Sequence, residues 1–182
     1  MPTTYAHDLF GKRVYRKLSA KLQHLIRSNG NLYRIGQHGP DILFYYFISK
    51  NPVTQYGVQM HGRKAREFFE KGMAKVREEK NPALMAYLLG FGCHYILDST
   101  CHPYVNQVAA EGKISHTLFE KEFDRMLMYE TGKDPLRFLS VAWDPCQFSQ
   151  CMDDTPGTTG DPYLEHLSVI ENDEDIHLYF GM

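Results

Sequence analysis

The sequence predicts an all-α protein, a multi-helix bundle followed by a loop-rich acidic C-terminal tail. Three observations predict it. Apolar residues recur at helical spacing through most of residues 8–130. Start and stop signals (Asn-Gly, Gly-Pro, Asn-Pro and a capping Ser) bracket those stretches. One stretch, residues 83–110, is apolar all round, the pattern of a helix buried at the centre of the others.

The elements follow in order. Residues 8–28 place Leu9, Val14, Leu18, Leu22, Leu25 and Ile26 at helical spacing, and Asn29-Gly30-Asn31 stops that helix. A short helix covers residues 32–36. Gly39-Pro40 starts another over residues 41–49, with Pro40 in its first turn. Residues 51–60 read as a loop. Residues 62–80 form an amphipathic helix with i,i+3 and i,i+4 charge pairs, broken by Asn81-Pro82. The apolar helix of residues 83–110 contains Pro103, which should kink it or split it. Ser115 caps a helix over residues 116–130 that ends near Thr131-Gly132. Beyond Leu139 the periodicity fails, with one short helix expected over residues 162–169.

At 182 residues the chain is long enough for one domain of roughly 150 residues and a tail. The helical domain is expected over residues 1–140. Residues 141–182 read as a loop-rich acidic tail or a truncated remainder of that domain. With 43% hydrophobic and 23% charged residues, the chain has material for a core and is no disordered segment. No apolar run approaches the ~20 residues of a membrane span. The N-terminal stretch lacks the apolar core of a signal peptide, so a cytoplasmic location is expected. Four cysteines do not make a disulfide scaffold in a chain of this size. Charge is unevenly spread: residues 1–137 carry all 20 Lys and Arg against 13 acids, and residues 138–182 carry nine acids and no Lys or Arg. Such a basic body suits a phosphate-bearing ligand or an anionic surface, or is simply a solvated exterior.

Chemistry concentrates on the apolar helix. His94, Asp98 and His102 stand at i, i+4 and i+8, so all three project from one face. A buried Asp between two His needs compensation, which a metal supplies. His116 and Glu120 repeat the i,i+4 spacing on the next helix. Facing helices that carry His-x3-Asp-x3-His and His-x3-Glu build a carboxylate–histidine metal centre, buried between helices. Asp41 at a helix start, His61 before a helix and His7 before the first helix add donors. Together they exceed one tetrahedral zinc and suit a cluster of two or three ions bridged by a carboxylate. His24, His38, His166 and His177 read as structural. Cys93 and Cys101, each one residue before a candidate ligand, should point away from the metal face into the core. Cys146 and Cys151 are a weak metal or disulfide signal.

The order His7, Asp41, His61, His94-x3-Asp98-x3-His102, His116-x3-Glu120 resembles the bacterial zinc-dependent phospholipase C family, related to the S1/P1 nucleases. The resemblance covers roughly residues 3–131. Its most specific parts are Gly39-Pro40-Asp41, the His94–Asp98 pair, His102-Pro103 and the His116–Glu120 pair. It implies an all-helical fold with three zinc sites. Asp41, His61, His94 and Asp98 would hold one ion, and His102, His116 and Glu120 a second. His7 and the other Asp98 oxygen would hold a third, completed in the family by the amine and carbonyl of the mature N-terminal residue. The expectation is two firmly bound Zn2+ ions and a weaker third.

The resemblance also implies hydrolysis of phosphate esters by a metal-activated water, with Asp41 as catalytic base. The expected substrate is a small-molecule or lipid phosphodiester, with transient contact to a membrane surface. Phe44, Tyr45 and Tyr46 either line the site or pack the core. An S1/P1-like nuclease, with nucleic acid as partner, and a non-catalytic metal-binding protein are the alternatives.

Overall fold

The computed structural model describes residues 4–45 and 51–135. The described residues are helical, with no strand among them. In chain order they form α1 (Thr4–Lys17), α2 (Ala20–Ser28), α3 (Gly30–Gln37), a 3-10 segment (Gly39–Tyr45), α4 (Pro52–His61), α5 (Arg66–Glu79), α6 (Pro82–Ala110) and α7 (His116–Glu130).

The 29 residues of α6 make a rod about 43 Å long, and every other helix except α4 packs against it. α4 packs on the 3-10 segment. Tyr15, Leu18, Ile26, Tyr33, Met73, Ala86 and Leu89 belong to the core along α6. Tyr33 is fully buried, so its hydroxyl must find a partner, and it donates to the Gly11 carbonyl at 2.7 Å. α3 crosses α6 where both are bare: a Cβ on Gly90 would lie 2.0 Å from the Tyr33 carbonyl oxygen. This close crossing delivers the 3-10 segment, and with it Asp41, to the middle of α6.

The structure differs from expectation in several places, each with a local cause. The single helix expected over residues 8–28 is two, because Ser19 is extended (φ −59°, ψ 152°). The first of them begins at Thr4 and therefore contains His7, which was expected to precede it. Its start is capped from a distance: the buried carboxylate of Asp124 on α7 accepts from the Tyr5 N–H at 3.0 Å and the Ala6 N–H at 2.9 Å.

The loop expected over residues 51–60 is α4. The signal was the same Asn-Pro that opens α6. The Asn51 side chain accepts from Thr54 N–H at 2.8 Å, as Asn81 accepts from Ala83 and Leu84, and proline follows each. The helix expected over residues 41–49 is a tighter 3-10 turn as far as Tyr45. Pro103 does not split α6. Ser99, whose carbonyl the proline leaves unpaired, is exposed and can bond water. The expected tail, the helix at residues 162–169 and the Cys146–Cys151 pair lie outside the described residues.

Candidate metal centre

The site forms where α1, the 3-10 segment, α4, α6 and α7 converge on one face of α6. Its entry point is Gly39, whose backbone is left-handed (φ +52°). A Cβ there would sit 2.2 Å from the His94 ring, so only glycine lets Asp41 come this close.

Two groups of donors lie within metal-binding distance of one another: His7, Asp41, His94 and Asp98, and His102, His116 and Glu120. Asp98 links them. Its Oδ1 lies 3.2 Å from His7 Nε2 and 3.8 Å from His102 Nε2, and its Oδ2 lies 3.2 Å from His94 Nε2. Glu120 Oε1 closes the second group, 3.0 Å from His116 Nε2 and 3.3 Å from His102 Nε2. His61 stands at the edge of the first group and reaches Asp41 Oδ1 at 2.8 Å. Phe44 stacks on the His61 ring, so it borders the site. The side chains of Tyr45 and Tyr46 lie outside the described residues, as do residues 1–3 and so the N-terminus expected to complete the third site.

The imidazoles share a polarity. His61 Nδ1–H donates to the Gly57 carbonyl at 2.8 Å, His94 Nδ1–H to the Gln37 carbonyl at 3.2 Å, and His116 Nδ1–H to Asn106 Oδ1 at 2.9 Å. That leaves each Nε2 as a lone pair aimed at a carboxylate oxygen, an acceptor facing an acceptor. Such an arrangement needs a positive charge between, either a proton or a metal ion, and the outer hydrogen bond is the one that fixes a metal-binding tautomer. Two buried atoms of the site have no hydrogen-bond partner, His7 Nδ1 and Asp41 Oδ2, the latter lying 3.7 Å from His94 Nδ1. Buried polar atoms are almost always paired, so these also ask for something the protein does not supply. The donor set fits zinc: nitrogen and carboxylate oxygen, with no thiol in either group.

Without metal, protons fill the same role. Hydrogen bonding to Asp41 raises the His61 pKa against the opposing effect of burial. Bonding to Glu120 does the same for His102. Burial opposes the charge on Asp98, but hydrogen bonds from His7 and His94 more than offset it and hold its carboxyl below the ordinary range. Burial likewise opposes the charge on Glu120, where His102 and His116 win.

The remaining residues sort themselves. His24 is exposed on α2, and His38 is half-buried at the end of α3, where burial lowers its pKa. Cys93 is buried against Tyr33, and burial pushes its thiol up to about 11. Cys101 does not point away as expected. It lines a small cavity of about 40 Å³ with His7, Asp98 and His102, because a residue three after Asp98 is turned only about 60° from it. Sequence reasoning missed Asn106, Asp124 and the Gln37 and Gly57 carbonyls. Only Asp124 left a trace, as the next i+4 step after His116 and Glu120.

No curated protein and no solved structure shows significant similarity to the chain. The family model for zinc-dependent phospholipase C matches residues 6–159. That span takes in all eight donors described above, from His7 on α1 to Glu120 on α7. On that match the chain belongs to the zinc-dependent phospholipase C family.

Proposed function

We propose that the protein is a phosphodiester hydrolase of phospholipase C type, acting on a lipid or small-molecule phosphodiester. The observation that supports this reading is the pattern of His61, His94 and His116, each with Nδ1–H spent on an oxygen and Nε2 turned to a carboxylate. In this reading Asp41, His61, His94 and Asp98 hold one zinc, and His102, His116 and Glu120 a second. His7 with the other Asp98 oxygen holds a weaker third.

Bound zinc supplies Lewis acidity, which makes water more acidic and offsets negative charge on a phosphate. The chain's own residues position the rest. Asp41 is the candidate catalytic base: Oδ1 is fixed by His61, and Oδ2, which has no hydrogen-bond partner, is the atom that takes the proton from the attacking water. Asp98 holds the two donor groups together. A cleft along α6 beside His94 and His102, floored by apolar side chains, receives the body of the substrate and keeps water out. The cytoplasmic location expected from the sequence belongs to the same proposal and is tested by cell fractionation.

The test is metal content of protein purified without chelator, followed by turnover of a chromogenic phosphodiester, a phospholipid and single-stranded DNA. Lipid turnover lost on metal removal supports the reading, and Asp41→Asn should lower kcat by about 10²–10⁴. Faster cleavage of DNA would instead give the nuclease, and firm metal binding with no turnover a binding protein.

A further inference from the structure

The cleft that opens from the metal centre carries a charge that hydrolysis alone does not use. It lies between α4, α5 and α6 and has a volume of about 820 Å³. Its floor is Phe68, Leu84, Leu88 and Phe91. Phe68 packs on Phe91 with ring centres 4.3 Å apart, and Gly72 lies against Leu88, so α5 runs alongside α6. From His94 to Leu84 the floor extends about 15 Å along the helix.

The edges are basic. Arg63 and Lys64 follow directly on His61, and Lys71 and Lys75 line the α5 side. Apart from candidate ligands, Glu67 is the one acid among the described lining residues. Lys71 pairs with Glu67 at 2.6 Å and Lys75 with Glu79 at 2.7 Å. Both pairs are solvent-exposed i,i+4 contacts, which hold weakly and leave the ammonium groups able to turn to another anion. The basic body of the sequence thus has a face, and that face opens onto the metal centre.

We propose that this cleft takes an anionic phospholipid, and that Arg63, Lys64, Lys71 and Lys75 make the site favour a negatively charged lipid over a zwitterionic one. The inference rests on the phosphodiesterase reading for what happens to the lipid, but not for its binding. The apolar floor accommodates hydrocarbon, and the basic edge attracts the net negative charge. A zwitterionic head group brings its own cation, which that edge repels. Single-stranded nucleic acid would answer the charge and find Tyr56 and Tyr95, lining residues that are 53% and 41% exposed, to stack on, but the aliphatic floor of Leu84 and Leu88 and the buried Phe91 favour hydrocarbon over bases.

Two measurements test it. The first compares hydrolysis of phosphatidylglycerol and phosphatidylcholine vesicles by the metal-loaded protein and by its Lys64→Gln/Lys71→Gln/Lys75→Gln variant. The second compares binding to vesicles of the uncleavable phosphonate analogues of the same lipids. The native protein should favour the anionic lipid by about tenfold at low salt in both, falling to about twofold or less in the variant. A Lys21→Gln/Lys121→Gln control, altered elsewhere on the surface, should keep the preference. Equal binding of the two lipids, an unchanged preference in the triple variant, or tighter binding of single-stranded DNA would overturn the inference. If the binding preference holds but nothing is hydrolysed, the phosphodiesterase reading fails and this one stands. If lipids are cleaved without preference, the reverse is true.

Discussion

The two donor groups are made of the same side chains but live in different surroundings. In the inner group, His7, Asp41 and His94 are buried, with Asp41 and His94 side chains each 3% exposed. They come from α1, the 3-10 segment and α6, and meet only because the whole bundle folds. In the outer group, the side chains of His102 and His116 are 33% and 35% exposed. They come from consecutive helices joined by a short turn. A buried carboxylate facing buried imidazoles has no water to fall back on, so the inner group depends on its cation for stability. The outer group can be solvated when empty. What differs is therefore burial and not chemistry: an ion in the inner group would be tied to the fold, and one in the outer group would face solvent.

The largest effect should come from complete metal removal. Metals held by the two donor groups would cross-link α1, α6, α7 and the 3-10 segment in the folded chain alone, so exhaustive chelation should lower Tm by roughly 10 °C. Partial chelation sharpens the comparison. The weakly held His7 ion and the outer metal should leave first with little change in Tm, and the fall should follow the ion held by Asp41 and His94, with elemental analysis and calorimetry run on the same samples. A Tm that drops in step with the first metal lost would reverse the assignment of roles.

Next in size is the carboxylate that joins the groups. Asp98→Asn removes the charge that three imidazoles share, and should cost about 3–5 kcal/mol in the metal-loaded protein and metal from both groups. Glu120→Gln should cost less, about 1–3 kcal/mol, and only the outer metal. Full occupancy in Asp98→Asn beside loss in Glu120→Gln would show that Asp98 does not join the two groups.

The same contrast explains what the sequence could show. The outer group was legible because it is local: His102 follows from the rhythm of α6, and His116 and Glu120 sit one turn apart behind a capping Ser115. Of the inner group, only His94 and Asp98 announce themselves by spacing. His7, Asp41 and His61 were singled out by type and by family resemblance, since no local pattern says which distant helix will arrive beside them. The supports were least legible of all. The carbonyls of Gln37 and Gly57 exist at every position of every chain, so their role depends wholly on where the backbone passes. α4 was lost for a different reason: the mixed polarity of residues 53–60 hid a helix whose Asn-Pro start was in plain view.

Asp124 gives a smaller and more selective test. Its carboxylate holds the first turn of α1, so Asp124→Ala should cost about 1–2 kcal/mol, as loss of a helix cap does. Because that turn carries His7, the variant should also lose the weakest metal while the others remain. His7→Ala should lose the same ion with the α1 cap intact. If Asp124→Ala empties the outer group instead, α7 depends on the contact more than α1 does.

The smallest effect is one of pH, and its sign separates proton from metal. In the metal-free protein His61 is raised above 6.5 by its bond to Asp41, and His102 by its bond to Glu120. A group whose folded pKa lies above its unfolded one contributes stability below the unfolded value, here 6.5, and loses it as pH rises through the folded value. Between about pH 6 and pH 8 the metal-free protein should therefore lose a little stability from both groups. Metal competes with that proton for the same Nε2 atoms, so its binding should tighten over the same interval as the proton leaves. The gap in Tm between loaded and metal-free protein should accordingly widen with pH, measured in matched buffers at fixed free zinc. His61→Gln should remove the inner share of the widening and His102→Gln the outer share, since each takes away one titrating nitrogen. A gap that stays constant across the interval would mean that the protons on His61 and His102 and the metal occupy different places, and the pairing of each imidazole with its carboxylate would then be an ion pair of the fold alone.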